Sequence, residues 1–102
     1  MPYEIQFTTE SLEDLKLLRP IDRSKVIDAI EIHLLHNPTQ ESKSRIKRLR
    51  GMDKPQYRLR VDEIRVFYDV VDNFVEIIAI VAKSQAADWL LREGKTTEQT
   101  EE

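Results

Sequence analysis

Residues 57–83 read YRLRVDEIRVFYDVVDNFVEIIAIVAK, and apolar and polar side chains alternate through most of this stretch. The alternation predicts three β-strands, at residues 56–61, 64–71 and 74–83, because successive side chains of a strand point to opposite faces. Two-residue turns at Asp62-Glu63 and Asp72-Asn73 join the strands, so neighbouring strands run antiparallel. The last strand is apolar on both faces, which is typical of a strand covered on both sides.

Two helices are predicted before these strands, where apolar residues recur at helical spacing. Ser11 and Asp14 resemble a capping box that starts the first helix, and Pro20 ends it because proline disfavours helical geometry at the preceding residue. Asp22 or Ser24 caps the second helix. A linker of about three residues makes the two helices pack antiparallel, as a helical hairpin.

The remaining elements complete a small α+β fold. A short strand at residues 3–7 precedes the helices, and a short helix at residues 86–92 follows the last strand, with Gly94 as its C-cap. The order β-α-α-β-β-β predicts a helical hairpin packed on one face of a mostly antiparallel four-stranded sheet. We expect one domain over residues 1–93 and a polar, disordered tail over residues 94–102.

The composition indicates one soluble domain and excludes several kinds of site. The chain has 102 residues, of which 40% are hydrophobic, and no cysteine, so disulfide scaffolds, thiolate zinc sites and cysteine nucleophiles are ruled out. Two glycines cannot build a P-loop or a nucleophile elbow. The longest apolar run, residues 77–82, is too short to span a bilayer. We expect a cytoplasmic protein without a membrane partner.

Basic residues are concentrated in one segment of an otherwise acidic chain. The net charge is −3, yet residues 43–65 hold nine Lys and Arg against three Asp and Glu. Such a segment predicts a local anion-binding site, whereas a chain that is basic throughout would indicate a non-specific coat on nucleic acid.

The predicted hairpin register brings three arginines of this segment to one face. With Asp62 and Glu63 as the turn, Arg60 lies opposite Arg65, and Arg58 lies on the same face, away from the helices. Like charges directly opposite each other are destabilising by up to about 1 kcal/mol, so this pairing has no structural use. Arginine suits bidentate phosphate binding. We predict a phosphodiester ligand; the alternative is a solvated surface cluster.

The same register raises two further points. Phe67, Ile78 and Ile80 fall on the side away from the helical hairpin, so they are candidates for a partner's docking surface unless the C-terminal helix and tail cover them. Asp69 lies opposite Glu76, a pairing of two acids that the sequence does not explain unless a β-bulge intervenes.

Three motifs in this region resemble those of a known family. The segments Arg48-Leu49-Arg50-Gly51, Tyr57-Arg58-Leu59-Arg60-Val61 and Arg65-Val66-Phe67-Tyr68, with the order of elements, resemble the RelE/ParE superfamily. Its members are the toxin halves of bacterial type II toxin–antitoxin systems, and the resemblance covers residues 3–91. It implies a cognate antitoxin as protein partner and contact with DNA only through the antitoxin complex.

The RelE-like branch implies a ribosome-dependent mRNA endonuclease that inhibits translation. That activity implies no cofactor and no metal, because the ribose 2′-hydroxyl attacks the adjacent phosphodiester while basic side chains stabilise the added charge. The resemblance implies catalytic roles for Arg58, Arg60, Arg65 and Lys83. We predict substrate-binding roles for four further residues, Arg48, Arg50, Lys54 and Trp89.

Two alternatives stay open at this point, a ParE-like inhibitor of DNA gyrase and a non-toxic member that binds the antitoxin. The nuclease branch usually has an arginine just after the last strand and a tyrosine near the C-terminus, where this chain has Ser84 and Trp89-Leu90. Trp89 either stacks on a base or anchors the terminal helix to the sheet. A guanidinium keeps its proton near pH 7, so the general base and acid are not identified.

Overall fold

The computed structural model describes residues 2–96. Its elements, in chain order, are β1 (Glu4–Phe7), α1 (Thr9–Leu17), α2 (Pro20–Leu34), β2 (Ile46–Arg48), β3 (Met52–Lys54), β4 (Tyr57–Val61), β5 (Ile64–Val71), β6 (Phe74–Ala82), α3 (Lys83–Glu93) and β7 (Lys95–Thr96).

Five of these strands form one mixed sheet in the order β1-β6-β5-β4-β2, and β3 pairs with β7 in a separate two-stranded sheet. β1 runs parallel to β6, and the other pairs of the large sheet are antiparallel. The α+β fold is confirmed, but the large sheet has five strands where the sequence predicts four. The missed strand β2 is three residues long with one buried side chain, Ile46, so it leaves too little alternation to read.

The hairpin of β4 and β5 has the register that the alternation predicts. All five residue pairs agree, Arg60 opposite Arg65 among them. At each two-residue turn the first residue has a positive φ, 53° at Asp62 and 54° at Asp72. Aspartate tolerates a positive φ better than most residues do. Glu63, the second residue of its turn, does not have a positive φ.

A β-bulge in β6 decides which of its residues are buried. The register between β5 and β6 shifts between Phe67 and Tyr68, which makes Ile78 the extra residue. Past the bulge, Ile80 joins the core under the helices, where it is 4% exposed, and Phe67 has no exposed surface. The docking surface expected from Phe67, Ile78 and Ile80 is therefore wrong, because the bulge turns Ile80 inward and α3 covers Phe67.

The helices begin earlier than the sequence predicts. Thr8 caps α1, because its hydroxyl accepts a hydrogen bond from the Ser11 N–H at 3.1 Å; the expected capping box at Ser11 is wrong. α2 begins at Pro20, since proline at the first helical position lacks only an N–H that has no helical partner. α3 begins at Lys83 rather than residue 86, so Lys83 is a helix residue and not the last residue of a strand.

The chain after α3 continues into the fold. Gly94 is the C-cap, as expected, and its N–H donates to the Leu90 carbonyl at 2.9 Å. A Cβ at this position would collide with the Met52 side chain and the Leu90 carbonyl, so the close approach requires glycine. Lys95 and Thr96, which the sequence assigns to the tail, pair with β3. Residues 97–102 of the predicted tail lie outside the described residues.

The core lies between the helical hairpin and one face of the large sheet. The largest side chains without exposed surface on that face include Leu59 and Tyr68, and Leu34 is the largest from the helices. The Tyr68 hydroxyl donates to the Pro38 carbonyl at 2.7 Å, and burial raises the pKa of this phenol well above its ordinary value. No helix of the described chain is long and apolar enough to cross a membrane.

Candidate nucleic-acid interface

The face of the large sheet opposite the helical hairpin carries the arginines that the sequence singles out. Leu59 of β4 and Val66 of β5 point into the core with no exposed surface, so their neighbours in each strand point the other way. Arg60 therefore stands directly opposite Arg65 on the open face, with Arg58 two residues along β4. We call these three residues the arginine trio.

Arg65 is held by the turn that precedes it. Its Nη1 donates hydrogen bonds to the carbonyl oxygens of Asp62 at 2.8 Å and Ile64 at 3.0 Å, and the residue is 7% exposed. Burial, together with the positive charges of Arg58 and Arg60, lowers the pKa of the Arg65 guanidinium from its ordinary value. A guanidinium still keeps its proton at neutral pH, so three like charges are held close together.

Arg58 and Arg60 are positioned by the neighbouring strand. Arg60 is exposed, and its backbone N–H donates to the Arg45 carbonyl at 2.9 Å. Arg58 is half-buried, and its Nε is buried with no hydrogen-bond acceptor within residues 2–96. A buried donor without an acceptor costs about 1–3 kcal/mol, so an oxygen-bearing ligand beside Arg58 would remove an energetic cost of the fold.

No carboxylate of residues 2–96 forms an ion pair with the arginine trio. Asp62 in the adjacent turn is instead paired with Lys25 of α2 at 3.3 Å. The register places the three arginines on one face, as the sequence predicts, and none of them is in an ion pair within residues 2–96; the negative charge of Glu63 nevertheless acts on Arg65.

The other half of the same face is a closed network of opposite charges. Asp69 accepts hydrogen bonds from the Gln56 N–H at 2.7 Å and from the Lys54 ammonium at 3.3 Å. The same ammonium donates to Glu76 at 3.3 Å, which explains how two acids can face each other across β5 and β6. Burial by itself would lower the pKa of the Lys54 ammonium. The hydrogen bonds and negative charges of Asp69 and Glu76 have the larger combined effect, so the pKa of Lys54 is raised.

An aromatic pair separates the two halves. Phe67 lies between Arg65 and Asp69 on the same face of β5, and the Trp89 ring of α3 stacks on it with centroids 5.0 Å apart and planes 9° apart. Stacked aromatic pairs contribute about 0.5–1.5 kcal/mol beyond the area they bury. The contact anchors α3 to the sheet, which is one of the two roles that the sequence allows for Trp89.

The other predicted site residues lie outside the arginine trio, but two of them border it: the Lys83 N–H donates to the Glu63 carbonyl at 2.7 Å, and Trp89 stacks on Phe67, the partner of Arg58. Arg48 supports the loop before β4, because its Nη1 donates to the Gln56 carbonyl at 2.7 Å. Arg50 is exposed in the turn before β3, and Lys83 is exposed at the start of α3. Their substrate-binding and catalytic roles stay predictions. Three predicted substrate-binding residues already contact other residues of the protein, through a hydrogen bond, ion pairs and ring stacking respectively: Arg48, Lys54 and Trp89.

Two features of this face are not predicted from the sequence. Lys47 of β2 stands directly opposite Arg58, so a fourth cation lies beside the trio. The bridge from Lys54 to Asp69 and Glu76 joins residues far apart in the chain. The sequence feature that could have placed Lys47 on this face is the alternation Ile46-Lys47-Arg48. It is too short to assign a strand by itself.

This arrangement can bind a phosphodiester and stabilise negative charge that develops on it. The guanidinium groups supply fixed positive charge and several N–H donors, but they cannot act as a general base. Within residues 2–96, no three His, Asp or Glu side chains are grouped so that they could hold a metal ion.

Comparison with known proteins defines the class of this molecule. A family model described as the ParE toxin of the parDE type II toxin–antitoxin system matches residues 5–87. The molecule is thus a toxin component of a type II toxin–antitoxin system. The chain belongs to the ParE toxin family, within the RelE/ParE superfamily.

Solved structures of such toxins have the same fold. The archaeal RelE–RelB complex from Pyrococcus horikoshii is similar with a TM-score of 0.68 and 22% identity, over 83% of this chain and 99% of that chain. A mutant of the E. coli toxin RelE in the free state has a TM-score of 0.67 at 22% identity, over 91% and 94% of the two chains. The E. coli DinJ–YafQ toxin–antitoxin complex has a TM-score of 0.65 at 18% identity, over 85% and 97%. No curated protein matches the chain by sequence.

Proposed function

We propose that this toxin is a ribosome-dependent endonuclease that cleaves translated mRNA and thereby inhibits translation in the cytoplasm. The observation that carries the proposal is the arginine trio, three guanidinium groups on one sheet face that form no ion pair with a carboxylate of residues 2–96. A phosphodiester offers the oxygens that guanidinium groups bind in bidentate fashion. The RelE-like fold supports the same activity.

The trio would act on the charge that develops during cleavage. The ribose 2′-oxygen attacks the adjacent phosphorus, a cyclic 2′,3′-phosphate forms, and the 5′-oxygen leaves and takes up a proton. Arg65, fixed by two backbone carbonyls, and its neighbours Arg58 and Arg60 would stabilise the additional negative charge on the phosphate oxygens. The proton of the 2′-hydroxyl has to go to another base, because a guanidinium does not accept it. We expect the ribosome to supply that base.

The test is cleavage by the purified protein in a translation system. We expect new 5′ ends within codons of the translated message, and none when ribosomes are left out. Arg60→Ala should lower the cleavage rate about 100-fold, the loss typical of removing one donor to a transition-state anion. Lys16→Ala, on α1 at the other side of the molecule, is the charge-matched control and should cleave like the wild type. Translation arrest with intact mRNA would contradict the proposal, as would full activity of Arg60→Ala.

Inhibition of DNA gyrase is the second candidate function, and two observations favour it. The family model that matches is that of the ParE toxin, and Ser84 stands where the nuclease branch usually has an arginine. This function predicts loss of DNA supercoiling by purified gyrase and a DNA-damage response in cells, with messages left uncut.

In both cases we propose a cognate antitoxin as the protein partner. The supporting observation is that relatives of this fold are seen as RelE–RelB and DinJ–YafQ toxin–antitoxin complexes. Contact with DNA would come only through that complex. A non-toxic member that only binds the antitoxin would leave translation and supercoiling unchanged.

A further inference from the structure

Strand β2 widens the basic face beyond the arginine trio. Ile46 of β2 stands opposite Leu59 of β4, and both lie in the core, at 4% and 0% exposure. The next pair along, Lys47 opposite Arg58, therefore points to the open face. Lys47 is exposed, and none of the ion pairs within residues 2–96 includes it.

The face thus contains two like-charge pairs on adjoining strands, Lys47 with Arg58 and Arg60 with Arg65. Each pair is destabilising by a few tenths to about 1 kcal/mol. The acid pair of the same sheet is bridged by Lys54, whereas no carboxylate of residues 2–96 forms an ion pair with either basic pair. A ligand with negative charge next to each pair would remove both repulsions.

The spacing of the strands indicates more than one anion. Lys47 and Arg65 lie on strands that are two positions apart in the sheet, which corresponds to roughly 10 Å between backbones. The Arg65 guanidinium is held toward the turn by the Asp62 and Ile64 carbonyls, whereas Lys47 lies opposite Arg58, farther from that turn, so one phosphate is poorly placed to contact both ends of the row. Consecutive phosphates of a single-stranded polynucleotide can do so if the strand crosses β5, β4 and β2 in turn.

We propose that Lys47, with Arg58, forms a second phosphate-binding position for single-stranded RNA next to the arginine trio. The inference rests on the proposed function, because it concerns the same face and deepens its substrate. It makes the substrate a polynucleotide held by at least two backbone phosphates, and Lys47 a binding residue that does not touch the scissile bond.

The test measures binding without cleavage and without ribosomes. The probe is a 2′-O-methyl RNA 12-mer, which has no free 2′-hydroxyl to attack, and its affinity is measured by fluorescence anisotropy at several salt concentrations. For single strands, the slope of log affinity against log salt is about −0.7 for each phosphate neutralised. Lys47→Gln should make the slope shallower by about 0.7 and weaken binding several-fold at low salt. Lys47→Arg should keep the wild-type slope.

Lys16→Gln on α1 removes the same charge from the opposite side and is the control. The inference is overturned if Lys47→Gln keeps the wild-type slope, if it changes no more than Lys16→Gln, or if the wild type shows no salt-dependent binding of the 12-mer. Because no ribosome is present, the result is independent of mRNA cleavage. A slope change at Lys47 in a protein that cuts no message would support the second position while the endonuclease proposal fails.

Discussion

The two halves of one sheet face differ in whether their charged side chains form ion pairs. On one side of the Phe67–Trp89 stack, Lys54 bridges Asp69 and Glu76, so the charges there neutralise one another. On the other side, the arginine trio has no carboxylate partner among the described residues. The two halves share strand β5, from which Arg65 and Asp69 extend on the same face. They differ in the side chains that meet them, because Lys54 of β3 reaches Asp69, whereas no carboxylate of residues 2–96 pairs with Arg65.

The comparison separates charges that serve the fold from charges available to a ligand. Asp69 is 4% exposed and accepts a backbone N–H, so its contacts resemble those of a buried structural acid. Arg60 is exposed and its side chain has no ion pair within residues 2–96, so removing it takes nothing from the fold. We expect mutations on the paired side to change stability and mutation of Arg60 to change activity, whereas Arg65, 7% exposed and bonded to two backbone carbonyls, contributes to the fold as well.

The largest effect on stability is expected from Asp69→Ala. This change leaves the Gln56 N–H without its acceptor at 2.7 Å and removes the bridge to Lys54. We expect a loss of about 2–3 kcal/mol in the free energy of unfolding, measured by urea denaturation, because hydrogen bonds to charged groups contribute about that much. Cleavage per folded molecule should be unchanged.

Asp69→Asn is the matched variant, because its amide oxygen still accepts from the Gln56 N–H. Its loss should be below about 1 kcal/mol, since the Lys54 ammonium is 48% exposed and solvent screens the pair. If both variants lost equally little stability, the network would not hold the loop before β4, and the contrast between the two halves would fail.

A smaller effect is expected at the boundary, from Trp89→Leu. The change removes the stacking on Phe67 and should lower the free energy of unfolding by about 1 kcal/mol. Leu91→Ala on the same helix is the control; Leu91 is 84% exposed, so its loss should stay within about 0.5 kcal/mol.

Trp89→Phe separates the two roles of this ring. A phenyl ring can still stack on Phe67, so stability should be kept to a large extent. Unchanged cleavage by this variant would mean that Trp89 only anchors α3, whereas a loss of cleavage at equal stability would show a contact with substrate. Equal stability of Trp89→Leu and the wild type would contradict the anchoring role.

The sequence predicts the part of the site that depends on local alternation. Because side chains alternate with a period of two, the turn at Asp62 fixes the pairing of Arg60 with Arg65 without any knowledge of the rest of the chain. The same reasoning fails beyond Ile78, because one bulged residue reverses the faces and sends Ile80 into the core. A bulge is set by packing across the sheet and leaves no mark in the pattern of β6.

Contacts between distant segments could not be predicted either. Lys54 reaches Asp69 and Glu76 across 15 and 22 positions of the chain. Strand β2 is assigned only because its edge pairs with β4, and it brings Lys47 to the basic face. Such contacts depend on the folded arrangement of several elements. The pattern of residues along the chain therefore does not predict them.

The smallest effect, and the one most specific to the contrast, is expected from Arg60→Gln. Removing one charge from the pair with Arg65 should raise the free energy of unfolding by about 0.2–1 kcal/mol at low salt. The gain should shrink in high salt, because the Debye length falls to about 3 Å at 1 M. Arg65→Gln relieves the same repulsion but loses the hydrogen bonds to the Asp62 and Ile64 carbonyls, so it should not be stabilising.

Urea denaturation of these two variants at low and high salt is the measurement. A stabilised Arg60→Gln that has also lost cleavage would mean that the fold tolerates this repulsion for the sake of a ligand, as expected where function and stability conflict. Equal destabilisation of both variants at every salt concentration would mean that Arg60 serves the fold, and the trio would then belong with the paired side.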